Sequence, residues 1–388
     1  MMGLMEKRGC TGIGFFALFI VAMGTLFSCQ IRTGGRYLER QDLFSLGYGG
    51  YGKSLNFSAQ GDVLVDFDSR EGIFHILDIP SRKVLRLSSY GDILSVLYDP
   101  RNSQAPEFIP STDSGKTAGS EAPGRYAAPT TMTAPSLVAI DSMQTLYVVD
   151  KPRAPLSGGS IVRRFGTLGR EDTFLGQEGL EGTPFSPIQA LFVMDDDSLG
   201  IVSSLPSGYL LYRFSGNGTL LTALKMDSAG IALDGMDAYR QNVDGILLRG
   251  EGERFEVLLK IDLYGESKDR KSEASAGFDA VESWLVTMDG TSGKLLNRLK
   301  VWSKSTNAEN PILLGERDKE YVLLQSDSDA SGSSVLVVTD KGRVKGRYRM
   351  DLPEGVKLVS RLKLLRGDRL AAVAGGKETA HVIWWSLP

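Results

Sequence analysis

Apolar residues along this chain come in short runs of four to six, each closed by a polar turn holding Gly, Asp or Asn. The same unit recurs: an apolar strand, a turn with Gly or Asp, then a stronger apolar strand. It appears at Leu55–Asp66, Leu137–Asp150, Ala190–Ser203, Met236–Leu248, Ile312–Leu324 and Val359–Val373. Glycine-punctuated apolar runs of this length predict β-hairpins, and continuous runs such as Leu146–Val149 and Val335–Val338 predict strands buried on both faces. No long amphipathic helical pattern follows the N-terminal segment. The exception to short runs is Ile13–Phe27, an almost unbroken apolar stretch of fifteen residues behind Lys7 and Arg8.

Taking the first strong apolar residue of each second strand gives Val63, Leu146, Leu199, Ile246, Tyr321 and Leu370, with gaps of 83, 53, 47, 75 and 49 residues. Two polar insertions account for the long gaps. Residues 99–134 are rich in Pro, Ser, Thr, Gly and Ala with little to bury, and residues 264–277 are dense in Lys, Glu, Asp and Ser. Removing them leaves a period in the upper forties, the spacing of four-stranded propeller blades. Blade three shows four strands cleanly, at Gln189–Met194, Leu199–Ser203, Tyr209–Phe214 and Thr219–Leu224. The last unit runs out after three strands. A strand at Asp42–Leu46 is available to complete it, leaving no open edge between the first and last blades.

The fold predicted is therefore all-β, a six-bladed β-propeller closed by the N-terminal strand pairing with the C-terminal blade. A surplus hairpin, Trp284–Asp289 with Lys294–Trp302, leaves seven blades as the alternative. The repeats resemble those of the NHL family over roughly residues 40–388, Ile140-Asp141 through Leu146-Tyr147-Val148-Val149-Asp150 being the best match. That resemblance implies ring closure by such a terminal strand.

Leu26-Phe27-Ser28-Cys29 resembles the lipobox of bacterial lipoproteins, although Phe is bulky for its position. Ile13–Phe27 is shorter than the roughly 20 apolar residues of a membrane span and suits a signal-peptide core. The resemblance implies cleavage after residue 28 and acylation of Cys29. Cys10 lies inside the signal, so Cys29 is the one cysteine of the mature chain. A free thiol would be a liability outside the cytoplasm, and acylation removes it. The division expected is signal peptide 1–28, tether 29–41 and a single propeller 42–388, with lipid anchoring in the bacterial cell envelope, on the periplasmic or surface side.

Net charge of −3 gives no field for nucleic acid. Gly47-Tyr48-Gly49-Gly50-Tyr51-Gly52-Lys53-Ser54 matches a P-loop letter for letter, but a strand follows it in place of the helix that such a loop needs. His75 and His381 are the only histidines and lie in apolar strand patterns. Asp195-Asp196-Asp197 lacks the alternation of a calcium loop and reads as a hairpin turn. No catalytic residue, metal ligand or cofactor site emerges. Asp66, Asp150, Arg249 and Asp327 stand at loops leaving the second strands and are placed by the repeat at a channel mouth. The function expected is a non-catalytic binding or assembly scaffold, its partners the membrane through the lipid and an envelope protein, peptide or glycan. The alternatives are a propeller enzyme of the lactonase, lyase or sugar dehydrogenase type, or a ligand sensor.

Overall fold

Six small antiparallel sheets account for nearly all regular structure in the computed structural model, which describes residues 36–49, 52–56, 64–104, 125–152, 158–227, 231, 239–252, 254–266, 278–306, 309–326 and 332–388. The unit Tyr37–Pro388 holds all six. Blade I comprises Val65–Arg70, Ile73–Asp78, Lys83–Ser88 and Ile93–Tyr98, with Tyr126–Pro129 added in parallel outside. Blade II begins with Leu137–Ile140 and Leu146–Asp150, and blade III with Ile188–Val193 and Leu199–Leu205. Blade IV has the longest strands, Arg240–Glu251, Arg254–Glu266, Phe278–Asp289 and Leu295–Ser303. Blade V runs Ile312–Arg317, Glu320–Ser326, Ser333–Thr339 and Val344–Met350. Blade VI has its short first strand at Lys363–Leu365, followed by Arg369–Gly375 and Thr379–Ser386.

The first strands touch in cyclic order, I to II and on through VI back to I, so the sheets form a ring with first strands innermost. Glu39–Gly47 pairs antiparallel with Thr379–Ser386 and supplies the outer strand of blade VI. Among the described residues no helix is long and apolar enough to cross a membrane.

Apolar packing divides into six clusters, each filling the space between two neighbouring blades. This explains the continuous apolar runs: a middle strand such as Leu146–Asp150 sends alternate side chains into two different clusters, Leu146 and Val148 toward blade I, Tyr147 and Val149 toward blade III. Phe44, on the N-terminal strand, meets Phe74 of blade I edge to face at 5.7 Å.

The expected strands of blade III are all present, and the surplus hairpin proves to be the third and fourth strands of blade IV, which fixes the count at six. Two hairpins are corrected. In blade I the run ending at Asp66 is the start of the innermost strand, not a second strand. In blade IV Ile246–Leu248 likewise belongs to the innermost strand. The 99–134 insertion is not excursion throughout, since Tyr126–Pro129 pairs with Ile93–Tyr98 and Ala127 and Met132 are buried. Residues 105–124 lie outside the described residues, as do 267–277 of the second insertion, where Tyr264–Glu266 still belong to a strand. The strand starting at Glu39 reaches into the expected tether. The signal segment and Cys29 lie outside the described residues.

Candidate functional site

A cavity of about 400 Å³ opens on the ring axis, lined by residues from the first strands of all six blades. The lining comes from the C-terminal halves of those strands and from the turns that lead to the second strands. These turns are tight and left-handed, with positive φ at Glu71 and Gly72 in blade I, Asp318 and Lys319 in blade V, and Gly367 and Asp368 in blade VI. Its wall is apolar where Ile140, Leu191, Phe192, Leu247, Leu314 and Leu362 face it, and its rim is charged.

The rim charges are spent between blades. Blade I presents Asp66 and Asp68 two residues apart, hence on one face of the strand. Their carboxylates accept the Val138 and Ile140 N–H groups of blade II at 2.8 and 3.0 Å. Blade II meets blade III where Ser142 N–H donates to Asp197 at 3.0 Å. Blade III meets blade IV where Gly252 N–H donates to Asp196 at 3.0 Å and Arg213 donates to the Gly252 carbonyl at 2.6 Å. Arg249 of blade IV pairs with Glu316 of blade V, and Arg317 of blade V with Asp368 of blade VI at 3.3 Å. Lys363 of blade VI returns to Asp66 of blade I at 2.9 Å. Six polar links thus run once round the ring.

Two further pairs span it. Arg70 of blade I pairs with Asp197 of blade III at 2.9 Å. Arg366 of blade VI reaches Asp195 at 3.4 Å and donates to the Met194 carbonyl at 2.9 Å. The Asp195–Asp197 turn is therefore a hub, joined to blades I, II, IV and VI. Burial against the cavity wall pushes the Asp68 carboxyl above its ordinary range, and nearby Lys363 opposes that shift. The Asp196 and Asp197 carboxyls lie below theirs: burial works upward, and the hydrogen bonds from Ser198 and Gly252, and from Ser142, together with Arg213 and Arg70, outweigh it.

Of the residues expected at the channel mouth, Arg249 lines the cavity, and Asp66 is buried behind its rim in the pair with Lys363. Asp150 is elsewhere. Fully buried at the end of a second strand, it accepts the Thr133 and Ala134 N–H groups and Arg163, and so pins the connection entering blade II. Asp78 does the same for Asn56 in blade I. Asp327 lies outside the described residues. The loops leaving the second strands and the first-to-second turns sit at opposite ends of a blade, and the cavity belongs to the turns. Arg70, Asp68, Lys363, Arg366 and the Asp195–Asp197 hub were missed for that reason. The i, i+2 pair Asp66 and Asp68, flanking buried Phe67 in the strand Val65–Arg70, was their available signal.

The P-loop look-alike is part of the connection from blade VI to blade I. Tyr48 donates to the Gly376 and Thr379 carbonyls, Lys53 reaches the Gly91 carbonyl at 3.5 Å, and Leu55 bridges back to Tyr48. His75 is buried in a small cavity between blades I and II. His381 lies between Ser45 and Thr379. Among the described residues no group of three His, Cys, Asp or Glu side chains could hold a metal ion.

No family model matches the chain, and no curated protein matches it. Solved structures do. A member of the duf4221 family from Bacteroides vulgatus is similar at 11% identity and a TM-score of 0.42, over 90% of this chain and 98% of that one. A putative exported protein from Bacteroides fragilis is similar at 9% identity and 0.41, over 91% and 99%. A polysaccharide lyase, an ulvan lyase, is similar at 8% identity and 0.40, over 90% and 84%. Likeness this distant carries no functional argument.

Proposed function

We propose that the chain is a lipid-tethered, non-catalytic propeller of the bacterial cell envelope that binds or assembles an envelope protein, peptide or glycan on its cavity face. In this reading residues 1–28 are a signal peptide, Cys29 carries the lipid, and a short tether leads to the disc. The ring-closing strand Glu39–Gly47, paired with Thr379–Ser386, supports the NHL-like arrangement and starts the disc within about ten residues of the anchor. The observation that carries the binding role is the closed circuit of six polar links around the cavity. It uses the rim's acids and bases to fix blade against blade, giving a rigid multi-loop face instead of side chains poised for proton transfer.

The test is made on the full chain in its own bacterium. Cells fed an alkyne fatty acid should yield labelled protein in the membrane pellet, and Cys29→Ala should move it unlabelled to the soluble fraction. A photo-crosslinker at exposed Asp195 on the cavity face should give a discrete adduct that one at exposed Lys151, in the loop leaving the second strand of blade II at the opposite end, does not. Unlabelled wild type overturns the anchor. Identical adduct patterns from the two positions overturn the binding face.

A further inference from the structure

Arg369 stands outside the polar circuit. Arg369 opens the second strand of blade VI and has no carboxylate partner among the described residues. Its guanidinium carbon lies 3.9 Å from the centre of the Trp384 ring. Stacking holds that planar group by one face and leaves its N–H edge available to donate. The ring is itself fixed, with Trp384 Nε1 donating to Gln41 at 2.8 Å.

Arg369 lines a cavity of about 300 Å³ between the first-to-second turns of blades VI and I. Arg70 and Arg366 line it too, with Ser69 and one acidic residue, Glu71. Three guanidinium groups and one carboxylate line it, while Asp197 and Asp195 pair two of those guanidinium groups from beside it. The three differ in freedom. Arg70 is held by Asp197, its side chain 11% exposed, so its charge is matched and it serves as wall. The Arg366 pair is 3.4 Å long with side chains 45% and 78% exposed, so water screens it. Arg366 bonds the Met194 carbonyl with one nitrogen and keeps further donors. Arg369 has every donor free of acid.

We propose that this pocket is an oxyanion site, taking the carboxylate, sulfate or phosphate group of an anionic ligand through Arg369 and Arg366, with Arg70 and Ser69 completing its wall. Paired guanidinium forks match the planar and tetrahedral faces of such groups. The inference deepens the binding reading and rests on it by naming the chemistry that the cavity face would take. Its test is independent of the anchor.

Purified full-length protein in detergent at pH 7 and low chloride is titrated calorimetrically with sodium sulfate, inorganic phosphate and glucuronate. The expected result is saturable one-to-one binding of at least one of them, weakened by added sodium chloride. Glucuronate alone binding marks an acidic sugar as the source, and comparable binding of the inorganic ions marks a simple oxyanion. Arg369→Ala should weaken binding by about tenfold or more, the loss of a charge-assisted pair of donors. Glu71→Gln should tighten it, because the carboxylate that lines the cavity is gone. Arg369 is exposed, so the alanine variant should melt as wild type does, which separates loss of a site from loss of fold. No saturable heat with any of the three anions, or unchanged affinity in both variants, overturns the proposal.

Discussion

Asp197 sits at φ 59° in the first-to-second turn of blade III, where its carboxylate takes the Ser142 N–H and hydroxyl and faces Arg70. Asn tolerates that backbone and still accepts a hydrogen bond but brings no charge. Ala loses both and strains the turn. Asp197→Asn should therefore cost about 1 kcal/mol and Asp197→Ala about 2–3 kcal/mol in urea unfolding. Equal losses would mean that the hub is only a turn. His75 argues differently, through protons. Burial, reinforced by Arg86, pushes its pKa down to about 3. An unfolded histidine titrates near 6.5, so between pH 6.5 and 3 the unfolded chain binds a proton that the folded one refuses. Stability is full above pH 6.5 and falls by about 1.4 kcal/mol per unit on acidifying through that window. His75→Gln should remove this share of the slope. Coincident slopes for wild type and variant would show that His75 protonates in place.

Elements were legible where strand length matched the expected period, and blade III shows this best. Its strands are six to eight residues long, and polar turns at Asp195–Ser198 and Ser215–Thr219 separate the first from the second and the third from the fourth. Blade IV broke the rule. Asp244-Gly245 carries the usual signature of a hairpin turn, yet it lies inside the twelve-residue strand Arg240–Glu251 as a bulge between Val243 and Gly245. A tertiary contact overrides the local signal: Lys260, almost fully buried, takes Asp244 at 2.7 Å and Asp262 at 2.8 Å. Splitting that strand in two displaced the assignment and left the blade's outer pair as a surplus hairpin. Blade I misled for a related reason, since Val63–Asp66 is as apolar as any second strand while the true second strand, Ile73–Asp78, holds His75 amid its apolar residues. The site followed the elements. Arg249 and Asp66 were found near the rim, but the hub was not, because three consecutive aspartates describe a solvated turn until partners from four other blades are seen around it.

At the scale of the whole molecule the core is six separate seams, and a ring is only as closed as the seam where the chain's ends meet. That seam has three parts: the apolar cluster joining blades VI and I, the Lys363–Asp66 pair, and the strand Glu39–Gly47 on Thr379–Ser386. The strand contributes fully buried Leu46, half-buried Leu43 and Phe44, and a ladder of eight pairs broken by a bulge at Leu43, and it covers an edge that would otherwise template pairing with another chain. Burying one such side chain is worth about 1.5–3 kcal/mol. Deleting residues 39–47 should therefore lower the melting temperature by about 10 °C or more and produce concentration-dependent oligomers on size exclusion, as the exposed edge finds other copies. Leu46→Ala is the milder probe, keeping the ladder and removing only packing. It should cost about 2–5 kcal/mol and leave the protein monomeric to the same extent as wild type. The pair of variants separates edge from core. Oligomers in the deletion alone locate closure in the ladder, whereas an unaltered melt in the deletion would mean that blades VI and I hold together without the strand.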